Sequence, residues 1–95
     1  MSSLRFDWDP DKEAANRRKH GVSFEEALSV FYDERGRLIA DPDHSDEEDR
    51  FVLVGMSHRL RVLLVCHAYR QNDGVIRIIS ARKASRREQT QYLEP

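Results

Sequence analysis

Three apolar segments in the second half of the chain constrain its fold more than any other feature. They span residues 50–57, 60–70 and 75–82, and each has the length and the Val, Ile and Leu content of a strand. His58-Arg59 predicts a tight two-residue turn between the first two, and Asn72-Asp73-Gly74 predicts a hairpin between the second two. Because short connections join antiparallel neighbours, these segments predict an antiparallel meander.

Capping residues predict two helices before the meander. Asp9 is a favoured N-cap, Pro10 suits the first helical position, and Gly21 suits the left-handed residue that ends a helix. A second helix follows at once, because Ser23 and Glu26 have the spacing of a capping box. Its apolar residues recur at helical spacing, which predicts one buried face formed by Phe24, Ala27, Leu28 and Phe31.

Shorter elements complete the predicted fold. The alternation in Phe6-Asp7-Trp8 predicts a short first strand, and residues 37–40 predict another brief one. Ser85 and Glu88 form a second capping box, which opens a C-terminal helix that ends near Leu93. The fold class is therefore α+β: a meander of three to four strands plus a short N-terminal strand form an antiparallel sheet, packed with two N-terminal helices and one C-terminal helix. We expect one domain over residues 1–95.

Composition narrows the class of protein. No apolar run approaches the roughly 20 residues that a bilayer span needs, so no membrane association is expected. The first six residues lack the apolar stretch of a secretory signal and Cys66 is the only cysteine, so the expected compartment is the cytoplasm. The acidic stretch 41–49 has neither the glycine and glutamate of an EF-hand nor a zinc-ligand spacing, and we expect no metal and no other cofactor.

Charge is distributed unevenly along the chain. Residues 1–49 carry seven Lys or Arg against fourteen Asp or Glu, whereas residues 50–95 carry nine against three. The basic half can attract phosphates, while the acidic half stays solvated or contacts a basic partner. The alternative is that both sets of charges only keep the protein soluble.

Strand alternation predicts a polar patch at one end of the meander. Successive side chains point to opposite faces, and a two-residue turn at 58–59 would place Arg50 directly across from His67. Tyr69 would follow on the same face, and His67 would lie opposite either Ser80 or Ile78, depending on the second turn. An apolar core face would then become polar where these side chains meet.

These residue types suit cleavage of RNA without a metal. That reaction needs a deprotonated 2′-hydroxyl, a stabilised phosphate charge and a protonated 5′-oxygen. Arginine offers a planar cationic donor, histidine moves protons near neutral pH, and tyrosine stacks on a base or donates a proton. The alternative roles are structural, with His67 as a hydrogen-bonded interior histidine, Tyr69 as a rim aromatic and Arg50 as a partner of Asp49 or Glu48.

Two further basic clusters have simpler alternatives. Four cations crowd the start of the predicted C-terminal helix: Arg82, Lys83, Arg86 and Arg87. Cations at a helix N-terminus oppose its dipole, which favours a visiting anion, although a solvated basic cluster explains them as well. Lys19-His20-Gly21 ends the first predicted helix, where the dipole alone accounts for the positive charge.

Several separated blocks together resemble the BrnT family of toxins. The blocks are Phe6 to Pro10 with Lys12 and Asn16, Lys19 to Ala27, His44-Ser45 to Arg50-Phe51, and Ile76 to Arg82 with Glu88 and Tyr92. They occur in the family's order, and the resemblance covers nearly the whole chain, from about Phe6 to Tyr92. It implies a RelE-like fold and a type II toxin that acts as a metal-independent endoribonuclease and blocks translation.

The resemblance also implies partners and site residues. The expected partners are an RNA substrate and a BrnA-type antitoxin, with a toxin dimer inside a toxin–antitoxin heterotetramer. RelE-like toxins act through Arg, Lys, His and Tyr on the sheet and near the C-terminal end, so the expected catalytic residues are Arg50, His67, Tyr69 and Arg82. The expected RNA contacts are Arg70, Arg77, Ser80, Lys83 and Arg86. The alternative is a non-catalytic module with the same fold that binds RNA or an antitoxin.

Overall fold

A five-stranded sheet with helices on both faces forms the described part of the chain, residues 4–40, 50–70 and 74–94, in a computed structural model. The elements in chain order are β1 (Arg5–Asp7), α1 (Pro10–His20), α2 (Phe24–Ser29), a 3-10 helix (Val30–Tyr32), β2 (Arg37–Ile39), β3 (Arg50–Met56), β4 (Val62–Arg70), β5 (Val75–Lys83) and α3 (Arg86–Leu93). The acidic stretch 41–49 and the predicted turn at Asn72-Asp73 lie outside the described residues. In the described ranges, no helix combines the length and the apolar character needed to cross a membrane.

The strand order is β1-β5-β4-β3-β2. The pairs β2–β3, β3–β4 and β4–β5 are antiparallel, which confirms the predicted meander. The prediction of a fully antiparallel sheet is wrong at one edge, because β1 pairs parallel with β5, Arg5 opposite Val75 and Asp7 opposite Arg77. These two strands are far apart in sequence, so no short turn requires them to run antiparallel.

Helix α1 begins and ends as its caps predict. The Asp9 side chain accepts a hydrogen bond from the Asp11 N–H at 2.8 Å, and Gly21 takes a left-handed φ of 68° while its N–H donates to the Arg17 carbonyl. The buried residue of this helix is a polar one, Asn16, whose side chain hydrogen-bonds Ala81 of β5. Helix α1 is therefore attached to the sheet edge by hydrogen bonds rather than by an apolar stripe.

Helix α2 has only half of its predicted capping box. The Ser23 hydroxyl accepts from the Glu26 N–H at 3.0 Å, as predicted. The Glu26 carboxylate instead accepts hydrogen bonds from the Ser57 hydroxyl and from the Arg61 guanidinium, both at the connection between β3 and β4. Only 2% of Glu26 is exposed, so this acid links α2 to the sheet from inside the protein.

The core is split between the two sides of the sheet. On the side covered by α2, which we call the α2 face, the buried cluster consists of Val22, Phe24, Ala27, Val30, Leu53, Leu63, Val65, Ile78 and Ala81. On the side covered by α3, the α3 face, the cluster consists of Val52, Val54, Leu64, Cys66, Ala84 and Tyr92. The side of the sheet on which a residue lies therefore decides which of two surfaces it can reach.

Helix α3 begins with the predicted capping box, in which the Ser85 hydroxyl accepts from the Glu88 N–H and the Glu88 carboxylate accepts from the Ser85 N–H. At its other end the Tyr92 hydroxyl donates to the Asp33 carboxylate, which also accepts from the Met56 N–H at 2.7 Å. Burial and the bond to Asp33 raise the pKa of Tyr92 to about 12. This contact fixes α3 to the end of the 3-10 helix.

Candidate functional site

The connection between β3 and β4 decides which side chains share a face. Ser57 N–H donates to the Arg61 carbonyl at 2.8 Å, so the turn between them has three residues, with Leu60 in a left-handed conformation at φ 63°. The predicted two-residue turn at His58-Arg59 is therefore wrong. The extra residue shifts the pairing by one, so that Arg50 lies opposite Ala68 and Phe51 lies opposite His67.

The predicted convergence of Arg50, His67, Tyr69 and Ser80 is wrong for this reason. Arg50 lies on the α3 face, whereas His67 and Tyr69 lie on the α2 face. A bulge in β5 adds a second shift, since Cys66 pairs with Ser80 but His67 pairs with Ile78. Ser80 is thus opposite a residue of the α3 face, and the structure does not bring these four residues into one patch.

His67 instead belongs to a cleft on the α2 face, which we call the His67 cleft. It has a volume of about 560 Å³ and is lined by Phe31, Asp33, Gly36, Leu38, Phe51, Leu53, His67, Tyr69 and Ile76. The 3-10 helix, β2 and three strands of the meander each contribute to its walls. Most of this lining is apolar or aromatic, which suits a flat organic group such as a base.

The imidazole of His67 is held in one orientation. Its Nδ1 lies 3.0 Å from the Val65 carbonyl, and its ring contacts Phe31 edge to face at a centroid distance of 4.8 Å. Only 5% of the residue is exposed, and this burial lowers the pKa of His67. Because a carbonyl can only accept, Nδ1 carries the proton of the neutral ring, and Nε2 is a proton acceptor.

Aromatic and apolar side chains at the rim of the His67 cleft are open to solvent. Phe51 is 44% exposed, Tyr69 48% and Leu38 65%. The Phe51 ring is tilted toward the His67 ring at a centroid distance of 6.2 Å. Exposed rings beside a buried proton acceptor can stack on bases or cover an apolar partner.

The predicted catalytic residue Arg82 lies on the opposite side of the sheet, at a position paired with Leu64. Its two terminal nitrogens donate to the two carboxylate oxygens of Glu88 at 2.8 and 3.0 Å. This bidentate bond is the main reason that the pKa of Glu88 falls to about 2, and the bond from Ser85 N–H acts in the same direction. Arg82 therefore stabilises the start of α3, a role that the sequence did not predict.

The residues predicted to contact RNA are dispersed. Arg77 donates to the Asp7 carboxylate at 3.2 Å across the parallel edge pair. Lys83 and Arg86 are exposed near the start of α3, and Ser80 is exposed on β5. The side chain of Arg70 lies outside the described part of the structure. Of the described side chains in this set, Arg77, Ser80, Lys83 and Arg86 do not line the His67 cleft.

Sequence reasoning missed two hydrogen-bond networks. Glu26 was predicted only as a capping residue, yet the bonds from Arg61 and Ser57 outweigh the effect of burial and hold its pKa below the usual value. Burial raises the pKa of Asp33, but the bonds from Met56 N–H and Tyr92 lower it, and the net shift is downward. This carboxylate therefore also remains charged. The bonds from Ser57, Met56 and Tyr92 to these two acids join residues 23 or more positions apart, and no local spacing predicts such pairs.

Metal ligands are not clustered in the described ranges, where no group of three or more His, Cys, Asp or Glu side chains could hold an ion. The acidic stretch 41–49, with His44, is not part of those ranges.

Comparison with known proteins identifies the class. A family model described as "Ribonuclease toxin, BrnT, of type II toxin-antitoxin system" matches residues 8–88. The crystal structure of the Brucella abortus ribonuclease toxin BrnT is similar to this chain with a TM-score of 0.63 and 24% identity, over 88% of this chain and 100% of that one. The structural likeness shows a shared fold. Among curated proteins no match was found.

The protein is thus a ribonuclease toxin of a type II toxin–antitoxin system, for which an antitoxin partner is expected. The chain belongs to the BrnT family, which confirms the resemblance seen in the sequence.

Proposed function

We propose that this toxin cuts RNA internally and without a metal ion, by attack of a ribose 2′-hydroxyl on the adjacent phosphorus, and that this cleavage blocks translation. The observation that supports the proposal is the state of His67, a neutral imidazole with Nδ1 committed to the Val65 carbonyl and with an acceptor nitrogen at a cleft. Membership in a family of ribonuclease toxins supplies the substrate class.

The proposed reaction uses the spacing of His67 and Tyr69. The two side chains are two positions apart on one strand face, a separation of about 7 Å that allows them to bind opposite sides of one phosphate. His67 Nε2 takes the proton of the 2′-hydroxyl, and the new bond from O2′ to phosphorus forms as the bond to O5′ breaks. The Tyr69 hydroxyl gives its proton to the leaving O5′, and Phe51 stacks on a neighbouring base. The products are a 2′,3′-cyclic phosphate and a 5′-hydroxyl.

The cations of the α3 face have a different role in this proposal. Arg50 and Arg82 cannot share a phosphate with His67 from the other side of the sheet, so they contact the RNA backbone outside the cleft. The remaining predicted RNA contacts also bind the RNA strand in this proposal: Arg70, Arg77, Ser80, Lys83 and Arg86. Such contacts give affinity that depends strongly on salt and little on sequence.

The antitoxin of this proposal is a BrnA-type protein that forms a heterotetramer with two copies of the toxin. Exposed apolar side chains at the rim of the His67 cleft support a partner on that side, since Leu38, Phe51 and Tyr69 would be shielded from water by it. An antitoxin that occupied this rim would also keep RNA away from His67.

The experiment that tests the reaction uses purified toxin and a short RNA in the presence of EDTA. Cleavage should persist, the upstream product should end in a 2′,3′-cyclic phosphate, and a single 2′-deoxy nucleotide at the cut should abolish cutting there. Products with a 3′-hydroxyl, or cleavage that appears only when magnesium is added, would contradict the proposal. RNA that is retained at low salt and never cut would indicate the non-catalytic module instead.

A further inference from the structure

Another cavity lies between α1 and the edge of β5, outside the His67 cleft. This α1–β5 groove has a volume of about 220 Å³, and its polar lining comes from Lys12, Asn16, Lys19, His20 and Ser80. Three of these side chains can carry a positive charge, and a fourth offers a hydroxyl. The groove is smaller than a typical pocket for a whole organic ligand, which suits a single phosphate group.

The positions on α1 place the basic residues on one side of the helix. Lys12, Asn16, Lys19 and His20 are separated by intervals of four, three and one residues, so they share the side that meets β5. The helix dipole explains cations in the last turn, where Lys19 and His20 stand. It does not explain Lys12 in the first turn, where a cation is unfavourable.

Within the described ranges, no acidic side chain offsets the positive charge of the groove. No carboxylate of those ranges lines it, and none of their ion pairs involves Lys12, Lys19 or His20. Glu13, an acid in the first turn of α1, accepts from the Phe24 N–H and so points toward α2. Positive charges that share a groove repel one another, and a bound anion relieves that repulsion.

Two features fix the shape of the groove. Asn16 bonds to both backbone groups of Ala81, which sets the distance between α1 and β5. The bulge leaves Ile79 without a partner on β4, and Ile79 and the exposed Ser80 line the groove at this irregular point of β5. The groove is thus preorganised by buried hydrogen bonds and does not have to form around its ligand.

We propose that the α1–β5 groove binds a backbone phosphate of the RNA strand, next to the bond that is cut. This inference rests on the proposed function, because RNA is the polyanion that a ribonuclease toxin must hold. Lys12 and Lys19 supply the charge, while His20 and Ser80 donate hydrogen bonds to the phosphate oxygens. The site is separate from the predicted catalytic residues, and it lies at the edge of the sheet rather than on its face.

The test measures binding of a fluorescent 2′-O-methyl RNA oligonucleotide, which has no free 2′-hydroxyl and so cannot be cut by the proposed reaction. Lys12→Gln/Lys19→Gln should weaken binding about tenfold or more and reduce the slope of log Kd against log salt by about 0.7, the change expected for the loss of one phosphate contact on a single strand. Ser80→Ala should weaken binding without changing that slope, because it removes a donor and no charge.

The matched control is Arg17→Gln/Arg18→Gln, which removes two exposed positive charges from the same helix outside the groove. It should weaken binding less than about threefold. Equal losses in both double variants would show general attraction and overturn the proposal, as would unchanged affinity in the groove variant. Unchanged affinity of the Lys12→Gln/Lys19→Gln variant would indicate that the groove binds an acidic protein partner instead of RNA.

Failure of this proposal and failure of the proposed function are distinguishable. Wild-type toxin that cuts RNA, together with a groove variant that binds the oligonucleotide normally, overturns the groove and leaves the reaction intact. Toxin that cuts no RNA, but loses oligonucleotide affinity only in the groove variant, supports the phosphate site and contradicts the reaction.

Discussion

Asn16 and Ala81 pair as two residues of neighbouring strands would, although Asn16 stands on a helix. Its amide Nδ2 donates to the Ala81 carbonyl at 2.9 Å, and its Oδ1 accepts from the Ala81 N–H at 3.1 Å. The same Nδ2 donates to the Val22 carbonyl at 2.9 Å. β1 pairs with β5 only as far as Arg77, so this amide satisfies the edge of β5 beyond the end of β1.

Substitution of Asn16 tests that pairing. Asn16→Ala leaves two buried carbonyls and one N–H of the backbone without partners, so the free energy of unfolding should fall by about 3 kcal/mol. Asn16→Asp should cost more, because a carboxylate keeps the acceptor but faces both carbonyls with a negative charge. Urea unfolding at neutral pH measures both. An Asp variant as stable as wild type would show that the two donated bonds do not hold α1.

The pair of Glu26 and Arg61 gives a second stability prediction. Glu26→Ala removes a buried carboxylate and leaves Arg61 and Ser57 without their partner, which should cost about 3–5 kcal/mol. Glu25→Ala is the matched control, because Glu25 is exposed on the same turn of α2 and should cost less than about 0.5 kcal/mol. Thermal or urea unfolding that gives similar losses for both variants would argue against a structural role for the buried pair.

The sequence was sufficient to predict those parts of the fold that depend on residues close together along the chain. The caps at Asp9, Gly21, Ser23 and Ser85 predicted the helix ends, because each cap bonds within a few residues. The register of the meander was not predictable, because it depends on a turn in which Leu60 adopts a left-handed φ without being glycine. One residue in that turn moved Arg50 to the other face.

The candidate site was likewise predictable within one strand but not across strands. His67 and Tyr69 are two positions apart on one strand, so they share a face whatever the turn. The neighbour that the structure gives to His67 is Phe51, because the turn inverted the alternation of β3 relative to β4. The pairing of Arg82 with Glu88 was also missed, since Glu88 already had a role as a capping residue.

The pH dependence of stability gives a third prediction. Burial lowers the pKa of His67 from 6.5 in the folded protein, so the unfolded chain binds this proton more readily. The contribution of neutral His67 to the free energy of unfolding is therefore complete above about pH 7. It decreases as the pH falls through 6.5 toward the lowered pKa of the folded protein. We expect the free energy of unfolding to decrease from about pH 7 to pH 5, and to decrease less in His67→Gln.

The same pH range separates His67 from the acids. The pKa values of Glu26, Asp33 and Glu88 are lowered from 4.5, 3.8 and 4.5, so their contributions are lost only at more acidic pH. Urea unfolding at several pH values between 5 and 7.5 isolates the histidine. Identical slopes in wild type and His67→Gln would contradict the account of its burial.

The rate of RNA cleavage by two histidine variants tests the central claim most directly. His67→Asn keeps a donor near the Val65 carbonyl but removes the Nε2 acceptor, while His58→Asn changes an exposed histidine in the turn between β3 and β4. With both variants folded by circular dichroism and EDTA present, His67→Asn should cut RNA at least about 100-fold more slowly than wild type. His58→Asn should cut at the wild-type rate. A folded His67→Asn that cuts within about threefold of wild type would contradict a role for His67 in the reaction.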